Sequence, residues 1–203
     1  MLEYYKDHPL LAVLIAALII GALFLLFKVS AASEKRAKKN QQLIKKLEKD
    51  KSLREKYSFL TEELISSAPE EELFRAVGLN LMKRVADKAD MSAEFDSLSQ
   101  GQRLIYSAFV FTEDSADGMS SFFKLNGSPV TDCAKAAVDS LTSGEFASLF
   151  DFEFSAYDGD NEEVSCIPSE IDEADKKAAP FLSDGTVSKE FGRYIKSNPA
   201  EFL

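Results

Sequence analysis

The pattern of apolar and polar positions divides the chain into three stretches. From Leu10 to Phe27 there are eighteen residues with no charged or polar side chain. As a helix they reach roughly 27 Å, close to the hydrocarbon thickness of a bilayer. The stretch predicts a transmembrane helix, with Leu10, Leu14, Leu18, Phe24 and Phe27 along it. From residue 28 to about 66 the residues are mostly Lys, Glu, Gln and Ala without Gly or Pro, which predicts a helical stalk. Only late in it do apolar residues become regular, as Leu53, Tyr57, Leu60 and Leu64 at steps of 4, 3 and 4. That seam is too short to establish a coiled coil, and docking onto the following body is preferred over dimerisation.

Beyond residue 66, 3.6-residue periodicity recurs and strict alternation is nearly absent, so the body is expected to be all-α. Ser67-Ala68-Pro69-Glu70 reads as a capping box opening a helix with Leu73, Phe74, Val77, Leu81 and Val85 on one face. Ser99-Gln100-Gly101-Gln102 is a second such box, followed by Leu104, Ile105, Ala108 and Phe109. Ser128-Pro129 opens a helix carrying Val130, Ala134, Ala137, Val138 and Leu141. Phe146, Leu149, Phe150 and Phe154 mark another. Residues 157–168 read as a loop, Ser169 to about Leu182 as a helix interrupted by Pro180, and Val187, Phe191, Tyr194 and Ile195 as the last helix.

Charge sharpens the picture. Residues 1–58 hold 12 Lys and Arg against 6 Asp and Glu, whereas residues 59–203 hold 12 against 28. A basic stalk therefore carries an acidic body. The N-terminal nine residues lack the basic character of a signal peptide, and the apolar run is too long for one. Lys28, Lys35, Arg36, Lys38 and Lys39 follow the run and only Lys6 precedes it. That asymmetry predicts a single-pass inner-membrane protein with its N-terminus outside and residues 67–203 in the cytoplasm. Lipid is the expected partner of anchor and stalk. The acidic body repels nucleic acid phosphates and attracts basic proteins or cations, so a basic protein partner and no direct nucleic acid binding are expected. The seam leaves weak homo-oligomerisation open.

Candidate chemistry is sparse. The one histidine, His8, lies beside the apolar run, so Cys133 and Cys166 lack an imidazole base and a zinc site lacks ligands. Asp158, Asp160 and Glu162 start like a calcium loop, but Glu163 stands where glycine is required and Ser169 where glutamate is. No catalytic residue, cofactor or metal is expected. An enzyme using the carboxylates of Glu113, Asp114 and Asp117 is the alternative to a binding module, and a self-associating structural protein is a third.

One segment carries a resemblance. LSQGQRLIYSAFVFTEDSADGMSSFFKLNG, residues 98–127, has Gly101, Gln102, Arg103 and Tyr106, then Glu113, Gly118, Phe122 and Phe123, and closes on Asn126-Gly127. It resembles a bacterial family named for the C-terminal domain of a DNA-mimic protein and otherwise a domain of unknown function. The closing FGRYIKSNPAEFL is similar to that family's C-terminal helix, so the resemblance covers roughly residues 95–203. Ala116, Asp117, Met119 and Ser121 depart from the family's pattern. The resemblance implies a helical fold and a DNA-mimic-like role. Read as residues, Gly101 permits close approach of another segment, Arg103 is expected to pair with Glu113 or Asp117, and Asp117-Gly118 is a turn. Glu113, Asp114, Asp117 and Ser121 are the candidate partner-binding turn.

Overall fold

The computed structural model describes residues 37, 40–142, 144–157 and 169–203. It divides into two compact units, Met1–Lys49 and Asp50–Leu203. In the first, the described residues are helical, with Leu43, Ile44 and Leu47 exposed.

The second unit opens on helical residues 50–56 (α1) and continues through α2 (Glu62–Ser67), α3 (Glu70–Ala86), α4 (Met91–Ser97) and α5 (Gln100–Asp114). A 3-10 turn, Ser115–Asp117, leads into α6 (Met119–Leu125). Then come α7 (Val130–Leu141), α8 (Glu145–Ala156), α9 (Ser169–Ser183) and α10 (Thr186–Ser197), closed by a 3-10 turn, Pro199–Glu201. No strand occurs among the described residues, so the all-α expectation holds.

The expected anchor, with Leu10, Leu14, Leu18, Phe24 and Phe27, lies outside the described residues. Among the described residues no helix is long and apolar enough to cross a membrane. The helix α3, for example, has 17 residues and six charged side chains, where a span needs about 20 mostly apolar ones. The expectation is corrected accordingly: the described residues are all-α with no membrane-crossing helix among them, and the single-pass inner-membrane assignment is withdrawn with it. The far end of the expected stalk also changes character. Residues 50–66 belong to the compact unit, and the helix breaks between 56 and Glu62. Leu53 and Tyr57 are 6% and 1% exposed inside the core, with Leu60 and Leu64 packed against it. The seam is engaged in docking within the chain.

Local chemistry explains most helix ends. Ser99 and Gln102 form the expected capping box in both directions. Ser67 does not open α3. It closes α2 by donating to the Glu63 carbonyl (2.8 Å), and Pro69 caps α3 without a side-chain bond. Three glutamates in the first turn of α3 and Lys83 and Arg84 in its last complement the helix dipole. The helix α9 runs through Pro180 rather than stopping there. Pro180 is exposed and near the C-terminal end, where an unpaired carbonyl can be hydrated.

The centre of the unit is α5, with Ile105, Ala108, Phe109 and Phe111 at most 1% exposed. On one side Phe109 meets Phe74 of α3 (ring centroids 6.0 Å), which meets Phe191 of α10 (5.1 Å). On the other, Phe111 meets Phe122 (5.3 Å) and Phe150 (5.0 Å), and Phe123 joins Phe150 (5.2 Å) and stacks on Tyr157 (5.6 Å). The helices α6 and α8 are thereby gathered on the face of α5 that leads to the expected turn.

Candidate functional site

The motif residues are distributed along α5 and its continuation, and most of them have a structural task. Gly101 lies in the first turn of α5, where the backbone N–H groups lack intrahelical acceptors. Its N–H donates to Glu201 Oε2 at 2.6 Å, and Ser99 Oγ donates to the same oxygen at 3.2 Å. Tyr194 donates to Glu201 Oε1 (3.2 Å), and Gln102 Nε2 to the Glu201 carbonyl (2.9 Å). A Cβ at position 101 would stand 2.3 Å from the Glu201 carboxylate, so the expected close approach is real: the approaching segment is the chain's own C-terminus. The first turn of α5 has no acidic residue of its own, and Glu201 supplies the negative charge that the dipole favours there.

Arg103 pairs with neither Glu113 nor Asp117 among the described residues, which corrects that expectation. Ten helical residues separate Arg103 from Glu113, about 15 Å along the axis, beyond any side-chain bridge. The cation that reaches Glu113 is Arg75 of α3. Its Nη1 donates to Glu113 Oε1 (2.8 Å), while Nε and Nη2 grip Asp50 Oδ1 and Oδ2 at 2.7 and 2.8 Å. The two carboxylates hold the guanidinium charged, the Asp50 bonds contributing most. Tyr106 packs edge-on against Phe95 (5.4 Å), and burial, reinforced by Asp114, pushes its phenol up.

The candidate turn does not gather its carboxylates into a site. Glu113 faces Arg75, Asp114 accepts from Asn126 Nδ2 (2.8 Å), and Asp117 is exposed. Gly118 has φ 126°, a conformation open to glycine. Its missing Cβ also leaves room for the Asp175 carboxylate, which would lie 2.7 Å from that atom. The Ser121 N–H bonds to the Gly118 carbonyl (3.1 Å). Phe122 and Phe123 belong to the aromatic cluster.

The polar group that sequence reasoning missed lies beneath this turn. Asp175 of α9 reaches across to α6, accepting from Ser120 N–H at 2.9 Å and Ser120 Oγ at 2.6 Å. Beside it Glu153 of α8 is 0% exposed, and among the described residues neither of its oxygens has a hydrogen-bond partner. Burial, with Asp175 as a lesser cause, pushes its carboxyl up to about 8. The hydroxyl of Tyr157, one turn on, is buried and likewise unpartnered.

Two cavities open elsewhere. One of about 360 Å³ is lined by Ser140, Leu141, Phe146, Phe181 and Glu190 among others. One of about 320 Å³ is lined by Tyr57, Phe59, Leu81, Phe202 and Leu203 among others. The first holds a single carboxylate and the second no acidic side chain, so neither assembles an acid–base pair. Cys133 is a free thiol that burial pushes up, which makes it a poor nucleophile. Among the described residues no group of three or more His, Cys, Asp or Glu side chains could hold a metal. Cys166 and the calcium-like residues Asp158, Asp160 and Glu162 lie outside the described residues. Comparison with protein-family models, with curated proteins and with solved structures gave no match.

Proposed function

We propose that the helical body is a protein-interaction module that binds a basic protein through dispersed surface carboxylates. The observation that carries the reading is the fate of Glu113, Asp114 and Asp117. An enzyme working through them needs convergence on one concave site, whereas they face Arg75, Asn126 and solvent respectively. Much of the other acid lies on the surface. Glu62, Glu63, Asp87, Asp96, Asp117 and Glu145 are exposed and make no ion pair among the described residues. An uncompensated field of one sign raises the local concentration of cationic partners and weakens as salt is added. The resemblance to the DNA-mimic family favours a DNA-binding protein as that partner, its phosphate-reading surface occupied by these carboxylates.

Affinity capture with the immobilised full chain, at low and then high salt, tests the proposal. Basic proteins retained at low salt, released by added salt and displaced by duplex DNA are the expected result. Recovery of no salt-sensitive protein would leave the acidity as a solubility device and refute the reading.

A further inference from the structure

Glu153 and Asp175 are placed as a pair by three helices. Phe146, Phe150, Glu153 and Tyr157 step by 4, 3 and 4 along α8, so Glu153 occupies a position on the stripe that faces the core. The helix α9 brings in Asp175, and α6 presents the Ser120 amide and hydroxyl. Among the described residues, the charged and titratable groups that face Glu153 are Asp175 from α9, Lys124 from α6 and Tyr157 at the C-cap of its own helix. Lys135 of α7 is held instead by Asp139 and Asp151. Two adjacent carboxylates therefore meet one exposed lysine, and full ionisation would leave a buried charge without a hydrogen-bond donor. Such a charge is far costlier than a neutral, bonded carboxyl.

We propose that Glu153 and Asp175 share one proton at neutral pH, and that this proton latches α9 and α8 onto the N-terminal turn of α6. The allocation follows from the donors. Asp175 already accepts two hydrogen bonds from Ser120, whereas Glu153 has no donor and is fully buried. The proton therefore resides on a Glu153 oxygen and is donated toward Asp175. Loss of it to solvent base breaks that O–H bond and no other, and leaves two like charges side by side. Withdrawal of Asp175 from Ser120 relieves them, which uncovers the Ser120 amide. The latch is thus closed below pH about 8 and opens above it, in keeping with the raised Glu153 carboxyl.

The sign for global stability is fixed by the same group. The folded state retains a proton that the unfolded state releases near pH 4.5, the ordinary value. Stability is thus full below pH 4.5, declines by up to about tenfold in the folding constant per pH unit up to about 8, and is level beyond.

The test uses the full chain, as wild type and as Glu153→Gln, whose amide is a permanent neutral donor. The hydrogen-exchange protection factor at Ser120 is measured between pH 6 and 9.5, and the carboxylic-acid C=O stretch is followed by infrared spectroscopy. Wild type is expected to lose protection by up to about tenfold per pH unit between pH 6 and 8 and to level off above 8, with the variant flat. The C=O band should persist at pH 7 in wild type and lose one component in E153Q. Equal pH dependence in the two proteins overturns the proposal. So does removal of the band at pH 7 by added calcium or magnesium alone, which would make the pair a cation site. If E153Q loses its helical content, the wild-type band decides. Disappearance near pH 8 supports the latch, and disappearance by pH 5 refutes it.

Discussion

Replacing Arg75 by Met tests which cation anchors the first acid of the expected turn. The guanidinium makes three charge-assisted bonds, two in a fork to Asp50 and one to Glu113, all between 2.7 and 2.8 Å. Asp50 is only 8% exposed, while the Arg75 side chain retains 24%. Removing one partner of a fully buried pair costs about 3–5 kcal/mol, and an exposed pair contributes about 0–1. With a quarter of the guanidinium in contact with water, the expected cost lies between these, at about 2–3 kcal/mol, most of it the stranded Asp50 charge. For a unit of this size that lowers Tm by about 4–12 °C. Urea denaturation of the full chain gives the free energy, with an unchanged slope showing that the denatured state is unaltered. A double-mutant cycle with Asp50→Asn and Glu113→Gln should show the larger coupling to Asp50, where the fork lies. Loss below about 0.5 kcal/mol, the range of ordinary surface changes, would refute the reasoning. So would Arg103→Met costing as much as Arg75→Met, since that outcome restores the pairing expected from sequence.

Three further outcomes follow from particular contacts. Gly192→Ala places a Cβ 2.2 Å from the Glu70 carbonyl oxygen. This is backbone that cannot swing aside, so thermal denaturation should report a loss of about 1–3 kcal/mol or more, while Gly127→Ala, with open space around it, should leave Tm within a degree or two. Glu201→Ala removes the acceptor shared by Gly101, Ser99 and Tyr194. It should cost about 1–2 kcal/mol and raise amide exchange selectively at Gly101 and Gln102. Cys133, with its thiol pushed up by burial, should react with a thiol reagent at pH 7 several-fold more slowly than in the unfolded chain; equal rates would mean that the thiol is accessible and unperturbed.

What could be read from sequence depended on the range of the interaction. The Ser99 capping box is local, four residues long, and is legible. So are the apolar faces of α3 and α10, because each stripe has to be buried somewhere. Ser67 was misread because an N-cap and a C-terminal serine bonded to the preceding turn look alike when a Pro follows. For Arg103, nearness in sequence suggests Glu113 or Asp117, although helical rise separates it from Glu113 and α3 delivers Arg75 to that carboxylate from 38 residues away. Asp175 caps α6 across 55 residues, which no local pattern encodes. Glu153 did leave a signal: an acid at the i+3 position of the buried Phe146 and Phe150 stripe. The phenylalanines on either side of it masked that signal. The eight motif residues were recognisable as a group, but the group proves to be the framework that seats Glu201, Arg75 and Asp175, and not a pocket.

Everything proposed about function rests on the exposed carboxylates acting together. The direct measurement is the salt dependence of binding between the full chain and the captured partner, repeated with Glu62→Gln, Glu63→Gln, Asp87→Asn, Asp96→Asn, Asp117→Asn and Glu145→Gln combined. Removal of six charges should weaken binding at least tenfold at low salt and flatten its dependence on ionic strength, with the helical content unchanged. Unaltered affinity and an unaltered salt slope in that variant would contradict the account.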